Sequence, residues 1–523
     1  MKLFPLLIIQ TLILAGVVNV CVADTDSTDS WISKGEAFTD QGQFDNAIAA
    51  FDKAIAMAPQ NSTILVLKGV ALQKSGQYEK AIRAYDQAIQ LSPEKEAAWL
   101  NTGKSLLKLE KYEEAVKAFS TTIEIAPEDE EAWVGMGDAL ISLDKPGRAA
   151  EAYEQALSID QKNPKAWAGK GETLAKQGQY DDAIAALDKA TTINPNDAYT
   201  WNRKGEVLAA LGKLNEAASA FGQASSIRED PKILSAKGDV LLKLGRYSEA
   251  YAAFDKAAGY DPSNGAVWIG KGVALAGTGK KTEAIAAFEQ AIARDPTAAD
   301  AWYQKGVVLS GINRSGDALE AYDQALRQNP GNTEAWMKKG EVHASQGESD
   351  DAAKAFDQAT DINPGDISAW IKKGDALVES GKYQGAMTAY STALDIDSKD
   401  YDLWKKQGAV LMHMGKYGDA VVAFNQSLIR YPDDPSLWIA KGDALKNVGK
   451  NEDAIESYNR AIAIDPQNAV AWSSKGDAYK GLLKYNDALQ AYGQALTINP
   501  SDNGTIISRN FIVNSTKERT IKG

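Results

Sequence analysis

The sequence predicts an all-α protein, a solenoid of stacked helix-turn-helix units, and three periodic features carry that prediction. Tryptophan stands at 31, 99, 133, 167, 201, 268, 302, 336, 370, 404, 438 and 472, at spacings of 34, 67 or 68. Leu65 and Leu234 fill the two gaps, which makes fourteen units; the spacing of 67 marks one deleted residue near Arg228–Pro231. Four residues after each of these positions comes Gly, from Gly35 to Gly476, and sixteen after comes Ala, from Ala47 to Ala488. Twenty after comes Phe or Tyr, with Leu187 the one exception, and Pro closes most units, from Pro59 to Pro500.

Each unit reads as two short amphipathic helices. Around Asp300 the first is AWYQKGVVLSG and the second SGDALEAYDQALRQ. Strings such as KSGQY and KQGQY put Gly between them, where it supplies a left-handed cap, and Pro in INPND or IDPQN ends the second helix. The mid-helix Gly costs about 0.5–1 kcal/mol relative to Ala. Its recurrence predicts a notch between crossing helices, with the Ala widening it and the Trp and Phe/Tyr filling the space beside it. Burying an aromatic there is worth about 1.5–3 kcal/mol, which exceeds the helix cost. One hairpin cannot cover its own apolar face, so the units must stack.

This pattern of W-x3-G, then A, F/Y, A and P resembles the tetratricopeptide repeat (TPR) family over residues 28–502. The resemblance implies a right-handed superhelix whose first helices line a concave groove, a non-catalytic role, and protein or peptide segments as ligands. Two positions depart from the family. Lys precedes the Gly in eleven units (Lys34, Lys68, Lys170, Lys204, Lys237, Lys271, Lys305, Lys339, Lys373, Lys441 and Lys475), where the family usually has Leu. An acid follows it in nine (Glu36, Asp138, Glu172, Glu206, Asp239, Glu341, Asp375, Asp443 and Asp477), where the family often has Asn. A column of carboxylates repels a C-terminal carboxylate, so the chain is not expected to act as the family's carboxylate-clamp co-chaperones do.

By the family's geometry the residue after each Trp position also faces the groove, and it is often apolar, as at Ile269, Tyr303, Met337 and Ile371. Beside the acids Asp138, Glu172, Glu206, Asp239, Glu341 and Asp375, this row suggests a partner segment carrying basic and apolar side chains, with residues 266–345 as the expected centre. A structural reading stands next to it: Lys and acid form a salt ladder between units, each pair worth about 0–1 kcal/mol, and the apolar row packs between helices.

The ends differ from the repeats. Residues 1–23 run from Lys2 through an apolar stretch to Ala23, resembling a signal peptide cut after Ala23 or an uncleaved membrane anchor, followed by a short linker at 24–27. Either form predicts repeats outside the cytoplasm, exported, secreted or anchored, with the membrane touched only through this segment; a cytoplasmic chain is the alternative. Cys21 is the sole cysteine, so no disulfide framework is expected. The tail 503–523 contains TIISRNFIV, a poor polar cap, and reads as disordered, docked on the last unit, or partner-binding. Sequons occur at Asn61, Asn313, Asn425, Asn503 and Asn514; Asn313 in a turn and Asn503 and Asn514 in the tail are the best-placed glycan acceptors.

The net charge of −13 disfavours nucleic acid. His343 and His413 lie far apart without ligand partners at metal spacing, and neither a nucleophile elbow nor a phosphate loop occurs, so no cofactor and no catalysis are expected. The expected function is a protein-interaction scaffold. The alternatives are a self-associating structural surface protein and an accessory subunit of an enzyme or secretion complex.

Overall fold

The computed structural model describes residues 27–522, and the side chains through residue 514. The segment read as a leader or anchor, 1–23, lies outside them. Among the described residues no strand occurs, and no helix is long and apolar enough to cross a membrane. Twenty-nine helices follow one another in the described residues, from α1 (Thr28–Asp40) and α2 (Phe44–Met57) to α27 (Ala469–Gly481), α28 (Tyr485–Ile498) and α29 (Asn503–Lys522). They fall into two compact units, one ending at Arg246 and one beginning at Tyr247.

Within each unit every odd helix packs on the even helix after it, and that even helix packs on the next odd one. Neighbouring odd helices also touch, whereas neighbouring even helices stand further apart. The odd helices are thus the more closely spaced layer, on the inside of each unit's curve.

The helix ends follow from the sequence. Most odd helices begin at an Asp or Asn whose side chain accepts a backbone N–H of the first turn; Asp366 accepts from Ala369 at 3.2 Å and Asn468 from Ala471 at 3.1 Å. The odd-to-even turn needs one left-handed residue per unit. Ten units supply Gly there, from Gly42 to Gly449. The other four use Glu110, Asp144, Asn313 and Leu483, with φ between 53° and 60°. An L side chain resists that conformation. Leu483 is also 67% exposed, so it gains little burial in return. Leu483→Gly is therefore expected to stabilise the α27–α28 hairpin by about 0.5–1 kcal/mol, read as slower amide exchange in α28.

The notch inferred from Gly and Ala is present. All fourteen repeat alanines are fully buried, and the residue four beyond each, aromatic except at Leu187, is at most 2% exposed. That aromatic ring lies directly on the Gly of the same hairpin: a Cβ added at Gly306 would stand 2.6 Å from Tyr322 Cε1, and one at Gly340 2.6 Å from Phe356 Cε1. The Trp does not share this space. It is half-buried, and its indole N–H donates to the backbone carbonyl six residues earlier, as from Trp99 to Pro93 at 2.9 Å and from Trp370 to Pro364 at 2.9 Å. Trp thus ties most odd helices to the turn before them, because its N–H needs an acceptor that an apolar notch lacks.

The tail, read as disordered, docked on the last unit or partner-binding, forms α29 over residues 503–522. α29 stands in 34-residue phase with the first helix of a further unit and packs on α28. Ile512 is fully buried against Ala488 and Tyr492, Thr505 is 1% exposed, and the Thr505 and Ser473 hydroxyls are 2.6 Å apart. The β-branched residues that look wrong for a cap are the ones that cover the final hairpin. Asn503 and Asn514 consequently sit exposed on a helix, while Asn313 sits exposed in its turn.

Candidate functional site: the inner groove of the first unit

The repeat lysines do not pair with the acids just beyond the Gly. Seven of them face a carboxylate on the even helix before, where Lys170 Nζ meets Glu154 at 2.9 Å, Lys271 meets Asp255 at 2.6 Å and Lys305 meets Glu289 at 2.8 Å. Nine of the eleven also lie over their own unit's indole, Lys271 at 4.7 Å from the Trp268 ring and Lys305 at 5.6 Å from Trp302. Trp, Lys and carboxylate form a ladder along the outer edge, and several surface cavities of the outer face are built on it. One, of about 720 Å³, is lined by Trp167, Lys170, Glu154, Asp188 and Lys189.

The acids therefore belong to the inner layer, and most are engaged there. Arg203 holds Glu206 at 2.7 Å and Glu172 at 3.4 Å, and Glu172 also accepts from the Tyr199 hydroxyl at 2.7 Å. Burial outweighs the opposing Arg203 contact and pushes the Tyr199 phenol up to about 12. Glu341 is bridged by Lys338 at 2.8 Å and Lys372 at 3.1 Å. Burial pushes its carboxyl up, but the two ammonium groups prevail and hold it below the usual range. Asp375 takes Lys406 at 2.6 Å and the Tyr390 hydroxyl at 2.6 Å. A basic column two residues after the Trp position (Arg203, Lys338, Lys372, Lys406) thus neutralises much of the acidic row.

The predicted apolar row is half-buried. Ile269 and Tyr303 pack on the cluster around Phe288 and Tyr322, Met337 on Phe356, and Ile371 on the cluster around Tyr390. These four lie in the second unit together with Glu341 and Asp375, whereas Asp138, Glu172, Glu206 and Asp239 lie in the first.

Among the described residues Asp138 and Asp239, unlike Glu172, Glu206, Glu341 and Asp375, have no ion pair with a cation, and both are exposed. Burial by the surrounding walls raises both carboxyls above the usual range; Lys243 opposes this at Asp239. At Asp138 the Tyr153 hydroxyl, donating at 2.7 Å, opposes it, and Glu172 adds to it. Water touches Asp138, yet protein fills much of the space around it, as at the floor of a groove.

That groove is a cavity of about 570 Å³ spanning α5 (Glu96–Lys108), α7 (Glu130–Ser142) and the start of α9 (Pro164–Lys176). Leu107, Val134 and Gly135 line it beside Asp138. A Cβ at Gly135 would overlap the Phe119 ring, so backbone, not side chain, forms that part of the floor. Four carboxylates (Glu130, Glu131, Asp138, Asp160) and three lysines (Lys104, Lys108, Lys165) surround it, and Lys104 is already held by Glu131 at 2.5 Å.

Comparison with known proteins decides the family. Tetratricopeptide repeat models match residues 235–299, 274–310, 303–367, 374–415, 442–482 and 469–502, and the cilia and flagella-associated protein 70 C-terminal domain, a TPR domain, matches 14–226. The chain belongs to the TPR family. No curated protein matches it. Among solved structures it is similar to the Cut9–Hcn1 hetero-tetramer of the APC/C, at 17% identity, TM-score 0.35, over 93% of this chain and 96% of that one. It is also similar to the MamA protein, at 28% identity, TM-score 0.30, over 32% of this chain and 92% of that one. YrrB, described as a TPR protein with an unusual peptide-binding site, matches at 23% identity, TM-score 0.30, over 35% of this chain and 95% of that one. In this TPR chain the period and notch were readable from sequence. The basic column was missed, although the same 34-residue phase exposes it.

Proposed function

We propose that the protein is a non-catalytic scaffold that holds an extended, basic and apolar segment of a partner protein in the inner groove of α5, α7 and α9. One observation carries the reading: among the described residues Asp138, a groove-floor carboxylate beside Val134 and Leu107, has no ion pair and feels Lys165 and Lys108 only from beyond ion-pair distance, in a row where Glu172, Glu206, Glu341 and Asp375 each have a paired cation. A Lys or Arg of the partner supplies that charge, and its neighbouring apolar residue covers Val134 and Leu107. The leader-like residues 1–23 complete the proposal, as the signal or anchor that places the repeats outside the cytoplasm.

Selection of random dodecapeptides on the purified repeats is expected to enrich Lys and Arg next to an apolar residue. Asp138→Asn should weaken the selected peptide about tenfold in fluorescence anisotropy, the loss expected of one charge-assisted contact. Because the Asp138 carboxyl sits above the ordinary range, affinity should fall on acidification before ordinary carboxylates protonate. Equal binding by the Asn variant would contradict the reading.

A further inference from the structure

The outer ladder has a break near its end. In seven units the repeat lysine meets a carboxylate sixteen residues earlier; six of these contacts measure 2.5–2.9 Å, and the seventh joins Lys373 to Asp357. At Gln407 the partner changes with the lost lysine: Gln407 donates to Ser391 at 3.1 Å. In α25 (Pro435–Asn447) and α27 the lysines stay but the carboxylates do not. Lys441 and Lys475 lie 4.9 and 5.0 Å from the Trp438 and Trp472 rings, while Asn425 on α24 (Tyr417–Arg430) and Asn459 on α26 (Asn451–Ile464) hold the acid's position.

Among the described residues neither ammonium has an ion pair. Burial lowers the pKa of both, and Glu456 and Asp453 near Lys441, and Asp487 near Lys475, oppose this only from beyond ion-pair distance. Both lysines are half-buried and both asparagines exposed, so each slot is walled yet open to solvent. Lys237 also lacks an acid, since it faces Gly222, but it has no such neighbour in the next unit. Lys441 and Lys475 occupy consecutive hairpins, one repeat apart.

We propose that Lys441 and Lys475 form a two-point receptor, on the outer edge of the second unit, for the side-chain carboxylates of an acidic segment of a partner chain. The chemistry of the occupant follows from the other units. The same slot, with the same indole and ammonium, is filled six times by an Asp or Glu side chain, and at Lys68 the slot beside Leu65 is filled by Asp52, so a carboxylate on a short stem fits it. Two slots at the repeat spacing favour a chain carrying several carboxylates over a single small anion. This site is separate from the inner groove and of opposite preference, so one chain can hold a basic segment on its first unit and an acidic one on its second.

The test uses the whole chain and a fluorescein-labelled hexaglutamate peptide at low ionic strength. Asn425→Asp and Asn459→Asp fill the slots from within and keep both lysines. Each is expected to weaken the peptide about fivefold or more, and together to abolish binding, with the melting temperature held or raised. Lys441→Gln and Lys475→Gln should weaken it similarly. Gly222→Asp adds the same charge at the isolated Lys237 and should leave binding unchanged. Unchanged affinity in the double Asn→Asp variant would overturn the proposal, as would an equal loss in Gly222→Asp, which reports bulk charge. Inorganic phosphate displacing the peptide at equal concentration would overturn the assignment to a segment.

Discussion

Gly340→Ala is expected to destabilise the second unit by about 1–3 kcal/mol, although helix propensity alone predicts a gain of up to about 1 kcal/mol. The added Cβ would stand 2.6 Å from Phe356 Cε1, and Phe356 is 2% exposed and cannot swing away. Phe356→Ala alone should cost about 3–5 kcal/mol through the cavity it leaves. The two losses should not add, because the ring that collides is gone in the double variant. Amide exchange in α19 (Thr333–Ser345) and α20 (Ser349–Ile362) reads the loss locally, which suits a repeat array that need not unfold in one step. A stabilised Gly340→Ala would mean that the notch is not close-packed.

Ile512→Ala should cost the C-terminal hairpin about 2–5 kcal/mol, since Ile512 is fully buried between Ala488 and Tyr492. The expected readout is faster exchange of α27 and α28 and earlier proteolytic entry there, with α1 and α2 unchanged. Loss spread evenly over both units would contradict a local capping role for α29.

The legible parts of this chain are those in which one residue type carries one geometric demand. Gly under a ring, Ala at a crossing and Asp or Asn at a helix start each recur in phase, so the sequence discloses the hairpins and their stacking. Where several residue types meet one demand, the pattern is hidden. The left-handed turn accepts Glu110, Asp144, Asn313 and Leu483 as well as Gly, and only counting from the Trp reveals them. The tail's Thr505 and Ile512 read as a sticky strand until α28 is there to receive them.

Charge pairing was the hardest part to see. Lys and acid flank the same Gly in sequence, yet their side chains leave the helix toward opposite layers. Lys339 meets Asp323 on an even helix, while Glu341 meets Lys338 and Lys372 on odd ones. Adjacency along the chain suggested one ladder, and the helix places the two residues on different faces. The apolar row faced the same ambiguity. Residues such as Ile371 and Met337 sit where a groove lining and a packing surface coincide, and period alone does not separate them.

The most direct test of the functional account is a crystal structure of the repeats with a peptide selected as above. The account predicts a Lys or Arg of the peptide within about 3 Å of the Asp138 carboxylate, with an apolar neighbour against Val134 and Leu107. A peptide seated on the outer Trp–Lys ladder, or in the inner layer with Asp138 still facing only Tyr153 and water, would contradict it.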